Sequence, residues 1–236
     1  MSTPFNLLGL AVALALAGCS QTAPSADSAD MATPPHAMAE APAATDTATA
    51  ADADAAAVPA PQLQAAMRDL WHGHVVHARD YALAVHAGND ADATAAADAV
   101  VDNAKQISGA VAGFYGEAGG DQMLTLLGGH WGAVKAMTDA SAANDEAGAA
   151  KAIDDLHANA AAIAKFLAGA NPNLSEDTVH GLLLAHGAHH VQQVKLILAD
   201  DTAGEAAEWA AMQSHMDMIA DALAAAIARQ FPDKAS

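Results

Sequence analysis

Residues 70–103 read LWHGHVVHARDYALAVHAGNDADATAAADAVVDN. Leu70, His74, His77, Tyr81 and Val85 recur at three- and four-residue steps, the pattern of a helix with one inward stripe. Gly88-Asn89-Asp90 interrupts that stripe, and a second one runs through Val100, Asn103, Ile107, Val111 and Phe114. Two long helices about a Gly-Asn-Asp break make an αα-hairpin. In such a hairpin His74 and Asn103 stand opposite each other, each roughly 22 Å from the turn at 1.5 Å per residue.

The same unit recurs along the chain. His74, His130 and His186 lie 56 residues apart, and Asn103, Asn159 and His215 keep the same spacing. Further stripes run through Met123, Leu126, His130 and Met137, through Leu156, Asn159, Ile163 and Phe166, through Leu182, His186, His189 and Gln193, and through Met212, His215, Ile219 and Leu223. Two polar series in step with a helical pattern are the signature of an internal repeat. The expected fold is all-α: a six-helix bundle over residues 61–236. It is built from three αα-hairpin repeats of about 56 residues (62–118, 119–174, 175–231) with pseudo-threefold symmetry.

Local punctuation supports these boundaries. Pro61 suits a first helical turn, and Thr202-x-x-Glu205 reads as a capping box. Gly116 to Asp121 and Asn171-Pro172-Asn173 separate the hairpins, and Phe231-Pro232 ends the sixth helix. Arg79 with Asp98, and Lys135 with Asp154, are placed for ion pairs across a hairpin.

The N-terminal region reads differently. Leu7 to Ala17 is an apolar run followed by Leu16-Ala17-Gly18-Cys19, which resembles a bacterial lipobox. Residues 1–18 are then a lipoprotein signal peptide with lipid carried on Cys19, although Met1 to Asn6 lacks Lys and Arg. Residues 19–60, rich in Ala, Pro, Thr and Asp, have too few large apolar side chains to offset their ordering entropy and read as a disordered tether. Ser20 after the Cys favours an outer-membrane lipoprotein facing the periplasm, by resemblance to lipoprotein sorting in Gram-negative bacteria. Cys19 is the one Cys in the 236 residues, so lipidation leaves no thiol for disulfides or metal. A net charge of −19 argues against nucleic acid.

If the three hairpins close around an axis, the polar series fall in one inner layer. Neutral imidazole is the commonest protein ligand for transition metals, so His74, His130, His186 and His215 are candidate ligands for a copper or zinc ion, held for sequestration or delivery. His77, His189 and Met212, a helical turn away, form a possible adjoining site. Asn103 and Asn159 would hold imidazoles from behind. His72, His180 and His190 fall off these layers, and His86 and His157 read as surface residues. If the hairpins instead stack in a row, the six residues separate into pairs. Two rival readings use the same residues: a metal-free interaction module whose His/Asn layer sets helix register, and a pocket for a small organic ligand or haem. No enzyme motif is present, and inward carboxylates are scarce, with Glu208 the one candidate; the chain is not expected to be an enzyme.

His74 with Arg79 and Tyr81, Phe114-Tyr115-Gly116, His130, Asn159 to Ile163, Phe166-Leu167, Asn171-Pro172-Asn173, His186, His215 and Gln230-Phe231-Pro232-Asp233-Lys234 together resemble a group of bacterial helical proteins with no assigned activity. The likeness spans nearly the whole helical region. Members often carry Thr where this chain has Ala78, and fewer His at positions such as 72, 77, 189 and 190. The resemblance implies the helical fold and the repeated polar layer, and no activity.

Overall fold

A computed structural model describes residues 60–235. The expected signal peptide, Cys19 and all but the last residue of the expected tether lie outside the described residues. Six long helices follow one another: α1 (Pro61–His86), α2 (Asp90–Tyr115), α3 (Glu117–Ala142), α4 (Glu146–Ala170), α5 (Glu176–Leu198) and α6 (Thr202–Gln230), with a short α7 (Pro232–Ala235) at the end. Among the described residues there is no strand, and no helix is long and apolar enough to cross a membrane.

Three of the connections are the same tight turn. Gly88, Asn144 and Asp200 adopt the left-handed conformation, with φ of 65°, 58° and 56°, and stand 56 residues apart. Gly, Asn and Asp are the residues that tolerate this region. Each turn closes with a pair of backbone hydrogen bonds: Asn89 N–H to Ala84 and Gly88 N–H to Val85 in the first, Asp145 to Ala140 and Asn144 to Ser141 in the second, Asp201 to Leu196 and Asp200 to Ile197 in the third. That pairing is the Schellman arrangement, which satisfies the last carbonyls of the helix it ends. The next residue caps the following helix: Asn89 Oδ1 accepts from Asp92 N–H at 3.2 Å, Asp145 Oδ1 from Gly148 N–H at 3.0 Å, and Asp201 Oδ1 from Gly204 N–H at 2.9 Å. Helix α6 is therefore capped by Asp201 and not by the expected Thr202–Glu205 box, because Glu205 points inward. The break expected over Gly116 to Asp121 shrinks to Gly116 alone, whose φ of 80° turns the chain so sharply that α3 begins at Glu117.

Each long helix packs on the next, and α6 returns to α1, so the bundle closes; α1, α3 and α5 also touch one another. Two bidentate pairs join α1 to α6. Arg68 donates to Asp221 at 2.8 and 2.6 Å, and Arg79 donates to Glu205 at 2.6 and 2.8 Å. Arg79 thus reaches Glu205 rather than Asp98, and Lys135 reaches Asp139 rather than Asp154. The largest apolar cluster holds Met67, Trp71, Ile107, Met123, Ile163, Met212, Met216 and Leu223. A second holds Tyr81, Val100, Trp131, Val134 and Leu156.

The end of the bundle opposite the three turns is tied by a polar network. Asn171, buried, donates through Nδ2 to Tyr115 Oη at 2.9 Å, and its Oδ1 accepts from Asn173 N–H at 2.9 Å. Tyr115 Oη donates to Gln230 Oε1 at 3.1 Å, and Gln230 Nε2 donates to the Ala170 carbonyl at 3.0 Å. The ends of α2, α4 and α6 are linked through these four residues. Replacing Asn171 by Ala strands several of these groups and should lower stability by about 1–3 kcal/mol, read as the urea midpoint with unchanged helical circular dichroism. A midpoint unmoved by the substitution would show that the network does not hold this end together.

Candidate metal centre

Three inward stripes deliver imidazoles to the centre of the bundle. His74 comes from α1, His130 from α3, and His186 and His190 from α5, each 2–3% exposed. Ring centroids of His74 and His130 are 5.5 Å apart, those of His74 and His186 5.8 Å, and those of His130 and His186 5.3 Å. His190 stands 4.5 Å from His186, 5.8 Å from His130 and 6.0 Å from His74. One ring nitrogen from each of the four falls within 4.8 Å of the other three.

The cluster is short of hydrogen-bond partners. Both ring nitrogens of His74, both of His130, and Nδ1 of His186 are buried with none. The one bond inside the cluster joins His190 Nε2 to His186 Nε2 at 3.1 Å. A buried polar group left unpaired costs about 1–3 kcal/mol, so so many at one point calls for a ligand or a strong compensation. A regular tetrahedron of nitrogens around zinc at about 2.05 Å has edges of roughly 3.3 Å. The His186–His190 pair, at 3.1 Å, already meets that spacing, and the other separations, all within 4.8 Å, need closing by at most about 1.5 Å.

Electrostatics keeps the rings neutral. Burial pushes the His74 imidazole down to about 3, with His130 and His77 adding to the effect. Burial pushes His130 down to about 4, opposed in part by Asn159 beside it. His186 and His190 are lowered well below the usual histidine value, first by burial and then by their neighbours in the cluster. Neutral imidazole is the form that ligates metals.

The remaining expected residues are placed elsewhere. His215 does not join the cluster: its Nε2 lies 2.8 Å from the Leu182 carbonyl, in a position that parallels Asn103 Nδ2, 3.0 Å from the Leu70 carbonyl, and Asn159 Nδ2, 3.0 Å from the Leu126 carbonyl. His189 is half-buried and pairs with Glu208, its ring 5.1 Å from that of His215. His77 lines a groove between α1 and α2 with Asp80 and Asn89. Met212 is fully buried in the main apolar cluster. His190, placed off the layers by the spacing argument, is instead the fourth member of the cluster. Its counterparts 56 and 112 residues earlier are Val134 and Ala78, both buried, so the repeat gives no sign of it. The i, i+4 relation to His186 is the signal that finds it.

An apolar pocket of about 280 Å³ is lined by Trp71, Leu167, Leu174, Leu183, Leu223 and Arg229. The Trp71 ring, which lines this pocket, is nearly perpendicular to the His74 ring, with centroids 6.2 Å apart. The volume is at the bottom of the range for drug-sized ligands. Comparison of the chain with protein-family models, curated proteins and solved structures finds no match.

The depressed imidazoles make metal-free stability depend on pH. An unfolded histidine protonates near 6.5, whereas these folded rings resist protonation down to about 3 for His74 and about 4 for His130. Between those values the unfolded chain binds more protons, so stability is full above pH 6.5 and falls as the pH drops. Each ring contributes a loss of about 1.4 kcal/mol per pH unit. Urea titrations in chelator at pH 7, 6 and 5 should show a steadily falling midpoint, and His130→Leu should make the fall shallower. A flat profile from pH 7 to pH 5 would contradict the neutral buried cluster.

Proposed function

We propose that this protein binds one transition-metal ion, copper or zinc, through His74, His130, His186 and His190, and holds it for sequestration or delivery. The observation that carries this reading is the meeting of four buried neutral imidazoles from three helices, five of whose ring nitrogens have no partner. The donor set also selects among metals. Nitrogen donors suit zinc and copper, whereas calcium and magnesium require oxygen, and the group contains no carboxylate.

We infer further that the bundle is three copies of one hairpin about a pseudo-threefold axis. Three features support this: the turns at Gly88, Asn144 and Asp200, the caps at Asn89, Asp145 and Asp201, and the side-chain bonds from Asn103, Asn159 and His215. Each set keeps the 56-residue spacing. On such an axis the odd helices bring equivalent imidazoles to one point. The lipobox-like Leu16-Ala17-Gly18-Cys19 supports anchoring to the outer membrane on the periplasmic side, with residues 19–60 as the tether.

The competing reading is a metal-free register layer, favoured by the side-chain bonds to Leu70, Leu126 and Leu182. Protein exposed to zinc or copper and then freed of excess metal should retain about one ion per chain, and His130→Leu should retain far less. A register layer predicts no retained metal, and a His130→Leu variant as stable as the parent or more so. Failure of the parent to hold either ion after exposure would reject the metal function.

A further inference from the structure

The 280 Å³ pocket draws its apolar walls from four helices: Trp71 of α1, Leu167 of α4, Leu183 of α5 and Leu223 of α6. Its polar lining is dominated by groups that donate hydrogen bonds. Arg229 brings a guanidinium and Trp71 an indole N–H, both of which only donate. Trp71 is 5% exposed, and its Nε1 is buried with no partner. Ser175 and Thr178 add hydroxyls. The remaining polar residue of the lining, Asn173, is held by Asn171, whose Oδ1 accepts from both Asn173 N–H and Asn173 Nδ2. No carboxylate lines the pocket, although the chain has 28 Asp and Glu against 9 Lys and Arg.

The three arginines are used differently. Arg68 is engaged by Asp221 and Arg79 by Glu205. Arg229, exposed in the last turn of α6, makes no ion pair among the described residues. A cation suits the C-terminal end of a helix, which accounts for its charge but not for its place in an apolar lining. The first turn of α5 follows Ser175 and contains Thr178, so the positive end of that helix bounds the same pocket. Glu176 and Asp177 of that turn are exposed and outside the lining.

We propose that this pocket binds a short aliphatic carboxylate, with its tail among Trp71, Leu167, Leu183 and Leu223 and its carboxylate on Arg229. An apolar cavity of about 150 Å³ takes up benzene, so the volume here suits a fatty acid of roughly eight to ten carbons. Each CH₂ taken out of water tightens binding about fourfold. The guanidinium selects the head group, since its paired N–H donors match the two oxygens of a carboxylate. None of the four cluster histidines lines the pocket, so this binding requires no metal.

Proton–nitrogen spectra of the metal-free full chain, held in chelator at pH 7 and titrated with octanoate, test the site. Trp71→Phe identifies the Trp71 indole signal. In the parent that signal should shift saturably, with half-saturation below about 1 mM, while the signals of Trp131 and Trp209 stay in place. Octanoate should bind about tenfold more tightly than hexanoate and about tenfold more tightly than octanol. Arg229→Gln, a change at an exposed side chain, should lose about tenfold for octanoate and bind octanol as the parent does. An unmoved Trp71 signal in the parent overturns the proposal, as does octanol binding as tightly as octanoate, or Arg229→Gln keeping the parent's octanoate affinity. A Trp71 signal that shifts with protein concentration alone makes a second copy of the chain the occupant, and equally overturns it. Every one of these outcomes leaves the metal function where it stood.

Discussion

An imidazole taken out of water has to be neutral, and each of its nitrogens has to find a partner or be left without one. The core of this bundle imposes that condition four times at one place. Helix packing enforces it: α1, α3 and α5 touch one another, and the four rings they carry are all buried. The arrangement persists only because the ring of helices is shut. Arg68–Asp221 and Arg79–Glu205 fasten α1 to α6, and both carry the two-point geometry in which an arginine–carboxylate pair is strongest.

Charge is distributed to suit a cation without binding it by charge. The sequence carries −19, yet the central group is built only from neutral donors. A surplus of surface carboxylates raises the local concentration of any cation. Under the proposed function, the inner donors would then discriminate by chemistry, since imidazole nitrogen selects among ions that acidic surfaces treat alike.

Much of the fold was legible because helix stripes, turn residues and spacing all pointed the same way. Gly88-Asn89-Asp90 marked its turn directly. Asn144 and Asp200 do the work of Gly88 with side chains attached, and only the shared spacing exposes them. Three of the four cluster histidines came from that spacing as well. It failed for His190, which has Val134 and Ala78 as counterparts, because an argument from repetition is blind to what one copy adds. For His215 the equivalence to Asn103 and Asn159 was visible, but the histidine itself suggested a ligand, and the structure sets it on the Leu182 carbonyl, outside the four-histidine group. Ion pairs were the least legible feature. Glu205 reads locally as part of a cap, and only closure of the ring brings Arg79, 126 residues away in sequence, to it.

Where the ring shuts also decides what kind of object the bundle is. Ala60 and Ala235 belong to one apolar cluster, with Leu63 and Phe114 packed against it, so the chain enters and leaves the domain side by side. Nothing in such a layout marks α1 as the beginning. The seam between α6 and α1 has no peptide connection and is fastened instead by Arg68–Asp221 and Arg79–Glu205. Circularly permuted chains opened at Gly116 would face the same packing problem and have the same solution available.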